Sequence, residues 1–202
     1  MTLGESMGMK VNRLAPIVLA LGCSMATAAD YTFSGNIRYH NDVVRIDFML
    51  DSDATDVRVW TDSFMDGENF DPITAVWQLP DGALVGENDD DDEIATGQTY
   101  YDSGLTFDTL AAGRYAFTIT PYENFAPANL FDSFGYSSET PIPIADWCQP
   151  ASNDDCSNQK GTFWRVHLSG VDAAAPVPEP STWLLLLAGF GVVASVAKRK
   201  KD

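Results

Sequence analysis

Apolar residues recur at every second position along most of this chain. Tyr31, Phe33, Ile37 and Tyr39 alternate with Thr32, Ser34, Asn36, Arg38 and His40. Val44, Ile46, Phe48 and Leu50 alternate with Arg45 and Asp47, and Val57 and Val59 flank Arg58. Ile73, Ala75, Trp77 and Leu79 alternate with Thr74 and Gln78, with Val76 breaking the polar face. Tyr115, Phe117 and Ile119, then Trp164, Val166 and Leu168, repeat the pattern. Period two places successive side chains on opposite faces, so these runs predict half-buried antiparallel strands. Pro80-Asp81-Gly82 predicts a turn, and Gly113 opens a strand after Leu110-Ala111-Ala112. No helical stripe of useful length occurs outside the two ends. Six or more short strands argue for an all-β fold, an antiparallel β-sandwich of jelly-roll-like form. The stretch 124–161 has no clear period. It predicts a long excursion ordered in part by Phe125, Phe131, Phe134, Tyr136 and Trp147.

The two ends read differently. Lys10 and Arg13 precede an apolar region, Leu14 to Met25, and Ala26-Thr27-Ala28 has the small-x-small form of a signal-peptidase site. The mature chain is expected to begin at Ala29 or Asp30, after a signal peptide over 1–29. Cys23 is then discarded, which leaves Cys148 and Cys156. In an exported protein two cysteines are expected to form a disulfide, and closing so short a loop stabilises by roughly 2 to 3 kcal/mol. Trp183 to Ala197 is a run of 15 residues without a charge, closed by Lys198-Arg199-Lys200-Lys201. As a transmembrane helix it spans roughly 22 Å, a little short of the roughly 30 Å hydrocarbon core, with Trp183 at one interface and the basic residues at the other. Positive-inside logic leaves the body outside the cytoplasm.

Pro178-Glu179-Pro180, the apolar run and the basic stop, in that order, resemble the PEP-CTERM sorting signal of Gram-negative bacteria. The resemblance covers 176–202. It implies an exported protein, anchored in the inner membrane and then released by exosortase-type machinery to the cell surface or extracellular matrix.

The body, 30–175, has the size of one domain. The chain carries a net charge of −17, and residues 41–108 hold 18 Asp and Glu against only Arg45 and Arg58. Such a surface repels nucleic acid and other polyanions, so no nucleic-acid partner is expected. Six acids occur in seven residues at Glu87-Asn88-Asp89-Asp90-Asp91-Asp92-Glu93. Carboxylates and an Asn carbonyl are the ligands calcium uses, though the spacing is not that of an EF-hand and a solvated acidic loop reads equally well.

Phe70-Asp71-Pro72-Ile73, Asp81-Gly82-Ala83-Leu84, Glu87-Asn88-Asp89-Asp90 and Leu110-Ala111-Ala112-Gly113-Arg114-Tyr115 resemble bacterial pre-peptidase C-terminal domains. With Tyr122-Glu123-Asn124-Phe125-Ala126 they resemble a set of PEP-CTERM-associated exported proteins of unknown function more closely still. The resemblance, over roughly 55–135, implies a non-catalytic β-sandwich that often binds calcium. By position it makes Asn88 and Asp89 the leading ligands, with Asp71, Glu87 and Asp91 beside them. Asp90-Asp91-Asp92-Glu93 stands where related domains tend to have a glycine, which leaves the ligand register open.

No enzyme signature is present: no Gly-x-Ser-x-Gly elbow, no His-Glu-x-x-His, no phosphate loop. His40 and His167 fall on the polar phase of their strands and are expected at solvent-facing or edge positions. The alternative to a non-catalytic surface protein is a carbohydrate-binding module, or a weak glycoside hydrolase, acting on exopolysaccharide. Trp60 and Phe163 carry it, since both lie on the outward phase and could stack on sugar rings. Packing beneath the long excursion is the other explanation for them.

Overall fold

The computed structural model describes residues 29–149 and 161–177. The strands are β1 (Ala29–Asn36), β2 (Val44–Leu50), β3 (Ala54–Thr61), β4 (Pro72–Leu79), β5 (Ala83–Asn88), β6 (Gly104–Leu110), β7 (Gly113–Pro121), β8 (Phe163–Val171) and β9 (Ala173–Pro176). A 3-10 turn at Met65–Gly67 is the only helical element among the described residues. None of them forms a helix long and apolar enough to cross a membrane. The signal region, Cys156, the Pro178-Glu179-Pro180 motif and the expected transmembrane helix lie outside the described residues.

The pairing is nested about the turn at Pro80-Asp81-Gly82. β4 pairs antiparallel with β5, β3 with β6, β2 with β7 and β1 with β8. Rolling this long double ribbon gives two sheets, in the orders β1-β8-β3-β6 and β5-β4-β7-β2-β9. The first eight strands have the order of a jelly roll. Gly82, at φ +73°, occupies the left-handed region that glycine enters without strain, and its N–H donates to Gln78 O at 2.8 Å. β9 is an addition. It covers the free edge of β2, and Val177 N–H continues the ladder to Arg45 O at 2.8 Å. The folded body thus runs past the expected boundary at 175.

The expected inward faces of β2, β3, β7 and β8 meet in the sandwich core. Val57, Val59, Val166 and Leu168 from one sheet pack with Ile46, Phe48, Phe117 and Ile119 from the other. β4 departs from the expectation. Val76 belongs to this core, beside its ladder partner Phe117. Ala75 and Trp77 point the other way and form a second core with Ala116, Leu130 and Phe134. The excursion over 122–149 covers the outer face of the second sheet, so β4 is buried on both sides. A strand buried on both faces loses its alternation, which is why Val76 looked like an interruption.

The aromatic residues of the excursion divide. Phe134 and Trp147 are buried, whereas Phe125 and Phe131 are exposed. His40 is fully buried rather than solvent-facing. Ile142 N–H donates to its Nδ1 at 3.2 Å, so Nε2 carries the proton and donates to Glu139 Oε2 at 3.0 Å. Tyr136 and Trp147 pack on the ring at centroid distances of 5.2 and 5.3 Å. The excursion closes over the chain after β1, and a residue on the polar phase ends up inside.

Two tryptophans check this arrangement. Trp77 is 0 % exposed, and Trp77→Ala is expected to cost about 3–5 kcal/mol. Trp60, on the outer face of the first sheet, is partly exposed, and Trp60→Ala is expected to cost under about 1.5 kcal/mol. Urea unfolding of both variants measures the difference; equal losses would contradict the two-core description.

Candidate metal centre

The β4–β5 hairpin builds this site. Its ladder pairs Thr74 with Asn88 and Ala75 with Glu87. Asp71 lies three residues before Thr74, and the acidic run begins immediately after Asn88. Antiparallel register therefore carries both to the same end of the hairpin. There Asp71, Asp89 and Asp90 each present a carboxylate oxygen, and these oxygens lie within 4.8 Å of one another.

Asp71 is 3 % exposed. Gln149 grips it twice: Gln149 Nε2 donates to Asp71 Oδ2 at 3.0 Å, and Asp71 N–H donates to Gln149 Oε1 at 3.3 Å. Asp71 Oδ1 is buried with no hydrogen-bond partner, and so is Asp89 Oδ1. Burial pushes the Asp71 carboxyl up to about 8, and the charges of Asp89, Asp90 and Asp102 add to this while Gln149 opposes it. Burial likewise pushes Asp89 up to about 6, helped by Asp90, Glu87 and Glu123. Asp90 is raised by burial as well. Each of these groups resists ionising where it stands.

Each of the remaining expected ligands makes a hydrogen bond in or beside the loop. Glu87 Oε1 accepts Ala126 N–H at 2.6 Å and ties the hairpin to the excursion. Asn88 Oδ1 accepts Asp89 N–H at 2.9 Å, while its Nδ2 donates to Gly104 O at 2.9 Å. Asp91 Oδ1 accepts Glu93 N–H at 2.8 Å. So of Asp71, Glu87, Asn88, Asp89 and Asp91, the structure brings Asp71 and Asp89 together and uses the other three to shape the loop. Asp90, which the resemblance did not name, joins them. Gln149 had no signal in the sequence at all, because it reaches Asp71 from the far end of the excursion.

Asp102 holds the surrounding loops. It is fully buried and accepts from Thr61 Oγ1, Ser63 N, Phe64 N and both the N–H and hydroxyl of Thr99. Asp91 N–H donates to its carbonyl at 2.6 Å. The acidic loop is thus fixed at its middle, and the carboxylates of Asp89 and Asp90 are held close instead of swinging apart.

The donor set fits a hard divalent cation. Calcium takes carboxylate oxygens at 2.3–2.6 Å, so two ligands on opposite sides of one ion stand roughly 5 Å apart. Separations within 4.8 Å meet that limit. The two orphaned oxygens are the strongest sign of fit, since buried polar atoms are ordinarily satisfied. The charges of Glu87 and Glu123 are also felt at Asp89.

Cys148 stands just before Gln149 at the end of the described excursion, and its expected partner lies outside the described residues. The resemblance of the body to pre-peptidase C-terminal domains rests on its short motifs alone. No curated protein matches the chain. Residues 176–201 match the family described as PEP-CTERM protein-sorting motif, so the chain carries an exosortase sorting signal and is an exported protein, anchored in the membrane and then processed.

Proposed function

We propose that this is a non-catalytic protein of the cell surface or extracellular matrix of a Gram-negative bacterium, with a jelly roll locked by one calcium ion. The observation that carries the ion is the pair of buried, partnerless oxygens, Asp71 Oδ1 and Asp89 Oδ1, beside Asp90. An ion there would cancel the repulsion among three acids and tie the start of β4 to the end of β5. The motif match supports export and sorting. A non-catalytic role is supported by the use made of the histidines: His40 is buried against Glu139, and His167 is held by Thr32 on an outer sheet face. A glycoside hydrolase is disfavoured, because the clustered carboxylates include Asp71, which is buried away from any sugar ring. A disulfide between Cys148 and Cys156 would pin the excursion next to Gln149, and through it Asp71.

Without the ion, the raised carboxyls set the pH dependence. The folded state holds its protons on Asp71 and Asp89 more tightly than the unfolded chain does. Their contribution to stability is therefore fully present below about 4 and is lost as pH rises through about 6 and 8. In EDTA the melting temperature is expected to fall between pH 5 and pH 8, and Asp71→Asn should flatten most of that fall. A melting temperature that rises across the same interval in EDTA would refute the assignment.

Calcium should reverse the loss. At ten times its Kd it adds roughly 1.4 kcal/mol, or about 4 °C for a domain of this size. The gain should be larger at pH 8 than at pH 5, where protons compete for the ligands. Magnesium should do less, since it dehydrates reluctantly and needs a tight octahedral shell. Equal stabilisation by both ions, or a full calcium response in the Asp71→Asn/Asp89→Asn double variant, means that the acids form only a charged loop.

Processing has its own check. Intact-mass measurement on native material should show a chain that starts at Ala29 or Asp30 and has lost its tail near Pro178-Glu179-Pro180. Thiol labelling of that material, unfolded and unreduced, should find no free cysteine. Met1 and Asp202 both retained in a cytosolic fraction, or two labelled thiols, would contradict it.

A further inference from the structure

The outer face of the sheet β1-β8-β3-β6 carries a groove of about 430 Å³, lined by none of the acids of the hairpin site. Trp60 is part of its lining. The ladder sets His167 beside it, with Thr32 on the next strand and Ser169 beside Arg58. The indole stacks on the imidazole at a centroid distance of 5.0 Å and an interplanar angle of 20°. Thr32 holds the imidazole, its Oγ1 hydrogen-bonded to Nδ1 at 3.0 Å; Asp62 Oδ2 lies 3.1 Å from Nε2 without a hydrogen bond between them. Among the described residues, none of the excursion lines this groove; Leu130 and Phe134 pack on the opposite sheet.

These features suit one kind of ligand. A volume of 430 Å³ falls in the range of small-molecule clefts. A large, partly exposed aromatic ring, braced on one face by His167, is held in place before binding at little cost in rotamer freedom. Around it stand hydroxyls and charged groups that can donate and accept hydrogen bonds. That combination fits a sugar ring, which presents a C–H face and a rim of hydroxyls. The arginines argue that the sugar is uncharged. Arg58 Nε and Nη2 are both bound to Asp56, each at 2.9 Å. Arg165 is held by Asp62 at 2.6 and 2.9 Å. Each arginine already carries a carboxylate partner, Asp30 and Asp56 also line the groove, and the net charge of −17 repels polyanions. We propose that this groove binds a neutral saccharide unit of a glycan, stacked on Trp60.

The proposal is independent of the calcium reading, and its test separates the two. Calorimetry on the full-length chain in detergent would use neutral tetrasaccharides of β-linked glucose, mannose and galactose, with oligogalacturonate as the anionic probe. At least one neutral probe should bind with a Kd of about 1 mM or tighter, in EDTA as well as in calcium. Trp60→Ala should weaken it by about tenfold or more, and Trp60→Phe, which keeps a ring, by less. Melting temperatures of both variants establish that they fold. Absence of binding by every neutral probe, binding of oligogalacturonate alone, or unchanged affinity in both variants would overturn the proposal.

Discussion

The register of β4 on β5 is the constraint from which the rest of this molecule follows. Once Thr74 stands opposite Asn88, the chain on either side of the Pro80-Asp81-Gly82 turn is paired outward, strand by strand, to β1 and β8. A slip of one residue would turn Trp77 and Val76 over and empty both cores at once. The same register places Asp71 next to the acids that follow Asn88. The candidate metal centre is therefore a consequence of the hairpin that organises the jelly roll. An ion held there would act on the pairing that every later pair depends on.

How much of this was legible in the sequence depended on how many faces a strand buries. β2, β3, β7 and β8 each turn one face to the sandwich core, and alternation showed which side chains point inward. β4 hides both faces, so its pattern gave the strand but not the facing of Val76 and Trp77. The covering layer was visible only as an absence of period with many aromatics. Nothing local could say that Trp77 meets Phe134 while Phe131 stays outside, or that His40 is drawn in beneath Tyr136 and Trp147. Those are contacts between segments about a hundred residues apart in the case of His40 and Glu139.

The candidate site shows the same division. Charge density marked the loop, and the motif Phe70-Asp71-Pro72 marked the partner across the hairpin. The choice among neighbours was hidden, because it turns on which groups the backbone requires. Asn88 and Asp91 resemble ligands by type, yet each satisfies an N–H that the tight acidic turn would otherwise leave open. Asp89 has the opposite standing: its Oδ1 is enclosed and receives nothing. Sequence gives the inventory of oxygens, and only the fold decides which of them the loop leaves over.

The sorting segment meets the fold without a spacer. β9 supplies the cover for the exposed edge of β2, and the last ladder contact is made by Val177, one residue before Pro178. β9 itself ends at Pro176, before the motif. Cleavage at or beyond Pro178 then leaves Ala173–Pro176 whole. The edge of β2 stays covered after the anchor is gone, and a released protein does not expose a strand that could pair with a second copy. The last strand of the body therefore lies wholly before the Pro178-Glu179-Pro180 motif.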